Sequence, residues 1–203
     1  MHYPPINQEP QKKIVDNSYL NREQPNTISD YFHSRESTHE NKKVVEIYPN
    51  GSRYEGFKVN GLRHGQGILF YVDGGFYDGE WKFNKMDGKG KLFYINGQLA
   101  YEGQWKDDKF DGQGILYNEE PEIFNYSFPF NDFNDLDEKW MKYEGNFKED
   151  NKEGRGKLFL SNGEVIEGEF KDDLVHGECS FFMMNGDVVK GKWMENQLLM
   201  KFD

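Results

Sequence analysis

In YDGEW at 77–81, the residues Tyr77, Gly79 and Trp81 alternate with Asp78 and Glu80. Strict alternation over five residues indicates a half-buried strand. GKLFYI at 90–95 follows with the aromatic and branched residues of a second strand. The intervening KFNKMD is polar and turn-like, as is KDDKFD after YEGQW at 101–105. Each such unit reads as a β-hairpin.

The unit repeats. Tyr54, Tyr77, Tyr101, Tyr143, Ile166 and Val189 open successive copies at intervals of 23, 24, 42, 23 and 23 residues. Two places after each opener stands a glycine: Gly56, Gly79, Gly103, Gly145, Gly168 and Gly191. A Gly-x-Gly follows at Gly65/Gly67, Gly88/Gly90, Gly112/Gly114 and Gly154/Gly156, and the fifth copy has Gly177 with Cys179. VVEIYPNGSR at 44–53 matches KLFYINGQLA at 91–100 and supplies a leading half-copy. A pattern written this often at a fixed interval specifies a repeat array.

The Asn-Gly and Asp-Gly pairs at 50–51, 73–74, 96–97, 162–163 and 185–186 predict two-residue hairpin turns with positive φ at both central positions. The sum is an all-β antiparallel meander. Pairing across Asn96-Gly97 is expected to set Phe93 opposite Tyr101 and Lys91 opposite Gly103. Phe70, Phe93, Tyr117, Phe159 and Phe182 would then share a face with the opener Tyr and Trp side chains. Leu92 and its equivalents would lie on the other face with the Gly-x-Gly pairs. Glycine beside a large ring gives it room to lie over the backbone and lets the sheet bend.

Glycine also marks the boundaries. None of the 22 lies before Gly51, and none between Ile115 and Glu144. Three regions are expected: an extended N-terminal segment 1–43, an array 44–203, and an acidic-aromatic insertion at about 119–142 that accounts for the 42-residue interval. The N-terminal segment is expected to make contacts away from the array.

Composition narrows the function. Mean hydropathy is −0.94, yet 16% of residues are aromatic, so burial is concentrated in large rings. Net charge is −11, which disfavours nucleic acid and anionic lipid and suits a basic protein surface. One cysteine excludes an internal disulfide and suits a reducing compartment. The N-terminus shows no basic start followed by an apolar run, so no signal peptide is expected.

No motif writes a reaction centre. GKGK at 88–91 lacks the spacing of a phosphate loop. His64 and His176 hold one repeat position, occupied elsewhere by Asp87, Asp111 and Glu153, which a turn-flanking polar role explains. Cys179 stands at a glycine position and reads as a small buried thiol. Glu55, Asp78, Glu102, Glu144 and Glu167 recur once per hairpin, roughly 9–10 Å apart, too far for one ion to bridge. NDFNDLDEKW at 131–140 lacks the sixth-place glycine and closing Glu of a calcium loop. No metal or cofactor is expected.

YEGxW followed by GxGxL resembles the MORN repeat (membrane occupation and recognition nexus) over about residues 44–203, less the insertion. The first copy departs from it, with Lys58 where others have Trp81, Trp105, Phe147, Phe170 and Trp193; the last two replace the opener Tyr. The resemblance implies an elongated, twisted single sheet used as a scaffold. It points to ciliary and cytoskeletal members such as radial-spoke-head-like proteins, hence to a non-catalytic adaptor in the cytoplasm or cytoskeleton, at a ciliary axoneme. A membrane-contact module is the alternative, with Lys82, Lys106, Lys148 and Lys171 as its basic edge. The expected partner-binding face comprises Tyr77, Trp81, Phe93, Tyr101, Trp105 and Tyr117. Two fillers suit it: a partner helix or peptide, expected over the central copies, or the insertion, through Phe124, Tyr126, Phe128, Phe130, Phe133 and Trp140.

Overall fold

Among the described residues, thirteen strands follow one another across a single antiparallel sheet in chain order. They are β1 (Lys43–Ile47), β2 (Arg53–Val59), β3 (Leu62–Phe70), β4 (Phe76–Lys82), β5 (Lys85–Phe93), β6 (Leu99–Lys106), β7 (Lys109–Tyr117), β8 (Trp140–Lys148), β9 (Asn151–Leu160), β10 (Val165–Lys171), β11 (Leu174–Phe182), β12 (Val188–Met194) and β13 (Gln197–Lys201). The computed structural model describes residues 43–203. The expectations for segment 1–43 fall, Lys43 apart, outside the described residues. Between β7 and β8 an irregular segment, 118–139, holds one short 3-10 turn at Asn134–Leu136. Trp140 to Lys142, expected in the insertion, instead begin β8, and β7 pairs directly with β8.

The two kinds of turn are the reverse of the sequence expectation. Positive φ at two successive residues occurs at Phe83/Asn84 (51°, 71°), Asp107/Asp108 (52°, 70°) and the equivalent acid-rich turns. These are the tight two-residue hairpins, and Asn and Asp tolerate such backbone best among residues with side chains. At Asn96-Gly97 the loop has three residues. Tyr94 N–H donates to the Gln98 carbonyl at 2.9 Å and Gly97 N–H to the Tyr94 carbonyl at 3.0 Å. Only Gly97 has positive φ there, 82°, while Asn96 Oδ1 accepts from Gln98 N–H at 2.8 Å.

The three-residue loop and one extra residue, Ala100, together set the register. Leu92, not Phe93, stands opposite Tyr101, and Gly90, not Lys91, opposite Gly103. A slip of one residue exchanges faces, so Phe93 and Tyr117 lie on the face opposite Tyr77, Trp81, Tyr101 and Trp105. The 24-residue interval comes from the same extra residue. Phe93 pairs Leu99 and Leu92 pairs Tyr101, leaving Ala100 as an extra bulged residue.

One face, called inner here, therefore carries Tyr, Gly, Trp and Leu together. The Tyr77 ring lies over Gly79 and Gly90; a Cβ on Gly79 would fall 2.6 Å from its Cζ and 2.5 Å from Gly90 Cα. The glycines make room for the ring, as expected. Tyr77 hydroxyl then donates to the Glu80 carbonyl at 2.9 Å, a bond repeated by Tyr101 to Gln104 and Tyr143 to Asn146. Trp105 packs edge-on against both Tyr77 and Tyr101, at 5.1 and 5.2 Å between ring centroids. Edge-on pairs contribute about 1 kcal/mol each beyond their burial, and the chain of rings forms a spine through the array.

A second ladder ties copy to copy. Asp108 Oδ1 accepts from Met86 N–H at 2.8 Å, and Asp108 N–H donates back to the Met86 carbonyl at 3.0 Å. Asn84, Asp150, Asp173 and Asn196 make the same reciprocal clasp to Arg63, Phe110, Lys152 and Val175. The first tight turn has Gly61 at this position, and among the described residues no earlier tight turn precedes it.

Candidate interaction surface

On the inner face the opener rings are core. Tyr77 and Tyr101 are 0% exposed, and Trp81 and Trp105 are 3% exposed. Burial raises the hydroxyl pKa of all four copies' tyrosines, Tyr54 to about 12. Where the fifth copy has Ile166 for Tyr, Cys179 fills the vacated space, with its Sγ 2.5 Å from a Cβ built on Gly168. Its thiol points at the Glu169 carbonyl, 3.5 Å away, the acceptor equivalent to that of the tyrosines. Burial pushes this thiol up to about 11, which suppresses the nucleophilic thiolate.

Over the later copies the insertion covers the inner face. Phe133, 0% exposed, lies between Phe181 and Trp193, at 5.3 and 5.8 Å between centroids. Trp193 Nε1–H donates to the Phe130 carbonyl at 2.9 Å. Glu164 is fully buried and holds the segment: its carboxylate accepts from Ser127 Oγ at 2.6 Å, Phe128 N–H at 2.9 Å, Asn162 Nδ2 at 2.8 Å and Met184 N–H at 3.2 Å. At the array's end, Leu198 N–H donates to Asn131 O and Phe133 N–H to Asn196 O, both at 2.9 Å. Insertion backbone thus takes the clasping position that a further copy would occupy. Sequence reasoning named the insertion rings as one filler, but nothing in the letters marked Glu164 as the anchor.

Among the described residues, the outer face is the uncovered one. One row of side chains crosses it strand by strand: Glu55, Ile68, Asp78, Lys91, Glu102, Ile115, Glu144, Lys157, Glu167, Ser180 and Lys190. The carboxylates expected at one per hairpin are separated by Ile or Lys, and Lys91–Glu102 and Lys157–Glu167 pair at 3.1 and 3.0 Å. A groove of about 850 Å³ runs along this row over β7–β12, ending at Phe202. Nearer the three-residue turns, Phe70, Phe76 and Phe93 stack across neighbouring strands at 5.7 and 4.2 Å. Tyr117 lies further along the same side, half-buried.

The remaining chemical candidates are dispersed. His64 in β3 and His176 in β11 are eight strands apart, roughly 38 Å at a sheet spacing of 4.8 Å. Lys82, Lys106, Lys148 and Lys171 are exposed beside the tight turns. They share that edge with Asp107, Glu149, Asp172 and Glu195, and Lys85–Asp107 and Lys109–Glu149 pair at 2.9 and 3.3 Å. The edge has mixed charge.

The sequence pattern of the MORN repeat matches five segments, 54–76, 77–99, 101–118, 143–165 and 167–188. The chain belongs to the MORN repeat family. Its repeats make it a repeat-based binding module, a class that is generally non-catalytic. The matched segments begin at or beside the openers, and the leading half-copy and last copy lie outside them. No curated protein sequence matches the chain. Among solved structures, the chain is similar to a Drosophila melanogaster protein, the SAS-4 (dCPAP) TCP domain in complex with a proline-rich motif of Ana2 (dSTIL). Identity is 16% and the TM-score 0.35, over 85% of this chain and 92% of that one.

Proposed function

We propose that this MORN protein is a non-catalytic adaptor that docks partner proteins on its outer face, within a ciliary axonemal or cytoskeletal assembly. The observation that carries the reading is the asymmetry of the sheet. The inner face is closed by its own rings and by the insertion, whereas the outer face offers an aromatic stack and a long groove across many strands. A single-layer sheet with one sealed face is a stiff platform, and half-buried rings bordered by exposed Val72 and Ile95 on such a platform mark a contact site. The acidic balance of the chain favours basic partners.

Of the six residues named from the sequence, Phe93 and Tyr117 stand on this platform; Tyr77, Trp81, Tyr101 and Trp105 support it from behind. The mixed charge of the lysine edge gives anionic lipid no continuous basic strip.

The test uses the immobilised full chain and native ciliary or cytoskeletal extract, with retained proteins identified by mass spectrometry. Retention of a defined set of cytoskeletal proteins, unaffected by anionic vesicles, is the expected result. Salt-sensitive sedimentation with phosphatidylserine vesicles, in the absence of protein capture, would replace this reading with membrane contact.

A further inference from the structure

We infer that the Phe70–Phe76–Phe93 stack receives an amphipathic α-helix with a basic flank, supplied by a partner protein. This rests on the docking reading above and names the chemistry of one docking site.

The stack is a row across strands, not along one. Phe70 pairs Phe76, Phe76 pairs Phe93, and Phe93 pairs Leu99, so four apolar side chains cross β3, β4, β5 and β6 in sequence. Val72 and Ile95, at the tips of the adjoining turns, are 70% and 65% exposed and widen the apolar strip on its outer margin. Neighbouring strands are spaced about 4.8 Å apart. A helix laid across them advances about 5.4 Å per turn and presents apolar side chains at each turn. An extended segment in the same position would present one only every 6.6 Å or so. The strip's period therefore matches a helix. Three strand spacings, about 14 Å, correspond to about ten helical residues.

Charge sets the flank. On the inward margin of the strip the row reads Ile68, Asp78, Lys91 and Glu102. Lys91 is paired with Glu102 at 3.1 Å, while Arg53 on the neighbouring strand β2 pairs with Glu55 at 2.6 Å. Asp78 is exposed and makes no ion pair with any described residue. One margin thus has two carboxylates, Asp78 and Glu102, against one lysine, and the other has bare apolar tips. At the β2 end the Arg53 guanidinium lies 4.4 Å from the Phe70 ring centre and leaves Phe76 and Phe93 as the open part of the strip. A helix with Leu, Ile or Phe along one face and Lys or Arg along one border fits both margins.

The experiment measures fluorescence anisotropy of labelled peptides with the full chain. The first probe is a fourteen-residue peptide of leucine and lysine at helical spacing; the second replaces each lysine by glutamate; the third is a strictly alternating leucine–lysine peptide. The first peptide should bind, at least tenfold tighter than either of the others. Phe93→Ala should weaken it tenfold or more and Asp78→Asn threefold or more, with thermal midpoints within a few degrees of wild type. Glu178→Gln, in the groove, should leave binding unchanged. Absence of binding, equal binding of the glutamate peptide, tighter binding of the alternating peptide, or an equal loss with Glu178→Gln overturns the inference. Extract capture separates the two levels. If proteins held by the wild type stay bound to Asp78→Asn and Phe93→Ala, the helix site falls and the adaptor reading stands. If the wild type captures nothing, the adaptor reading itself falls.

Discussion

Tyr77 shows how one side chain sets the composition of its surroundings. Its ring needs the space above Gly79 and Gly90, and its hydroxyl needs the Glu80 carbonyl. Gly79→Ala would push a methyl into the Gly90 backbone 2.5 Å away. A loss of about 2 kcal/mol or more is expected, as for other overpacked cores, read as a lower denaturant midpoint. The fifth copy solves the same space differently, and that difference is testable as a coupling. Cys179→Gly alone leaves a void beside Ile166, and Ile166→Tyr alone collides with the thiol. The double substitution restores the arrangement of the other copies. A double-mutant cycle should give a favourable coupling above about 0.5 kcal/mol, as for residues sharing one space; strict additivity would refute the shared space. The glycine spacing made this legible in the sequence, because only a fixed steric demand repeats glycine at the same offsets. The exchange of Tyr and Gly for Ile166 and Cys179 was visible as two departures, but their contact required the register.

At the scale of the strand and turn, the sequence supported the hairpins and misplaced their connection. Asn-Gly suits positive φ in both a two-residue loop and a three-residue one closed by a glycine, so the letters at Asn96 and Gly97 do not fix loop length. The acid-rich turns gave the better clue: Asp107-Asp108 and Glu149-Asp150 sit where backbone is tightest, and their second residue clasps the preceding hairpin. Burial raises the pKa of the Asp150 carboxyl, partly opposed by the bond it accepts from Phe110 N–H. A carboxyl whose pKa is raised on folding adds stability below its unfolded value, near 3.8, and loses it as pH rises through the folded value. Asn84 and Asn196 show that asparagine makes the same clasp. Asp150→Asn should therefore flatten the pH dependence of stability across that acidic window while matching or exceeding wild type at neutral pH. A less stable variant at pH 7 would show that the charge itself holds the turn. Asp108→Ala, which strands the Met86 N–H, should cost about 1–2 kcal/mol in chemical denaturation.

For the molecule as a whole, the insertion does what a terminal repeat does in other arrays, covering an end that would otherwise lack a neighbour. Its rings were legible as candidates for burial, since five aromatics in an acidic segment have few other uses, though Tyr126 stays exposed. Its seat was not, because the contacts that choose it join residues far apart in sequence: Phe128 with Glu164, Phe130 with Trp193, and Asn131 with Leu198. Glu164→Ala should leave several buried donors without their acceptor and lower stability by about 2 kcal/mol. Limited proteolysis should then cut within 119–139 while the strands survive; an uncut insertion would mean that the rings alone suffice.

The same seat alters how the last strand opens. In a linear array the outermost strand has one neighbour and frays first, so its amides exchange with solvent quickly. Here Leu198 and Asn196 are tied back to Asn131 and Phe133, residues that enter the fold between β7 and β8. Opening β13 requires lifting the insertion, and lifting the insertion uncovers Phe181 and Trp193. Hydrogen exchange should accordingly report β9 to β13 and the insertion as one cooperative unit, with amides of β13 protected to nearly the level of β9. In Glu164→Ala the unit should break, and β13 should exchange ahead of the rest.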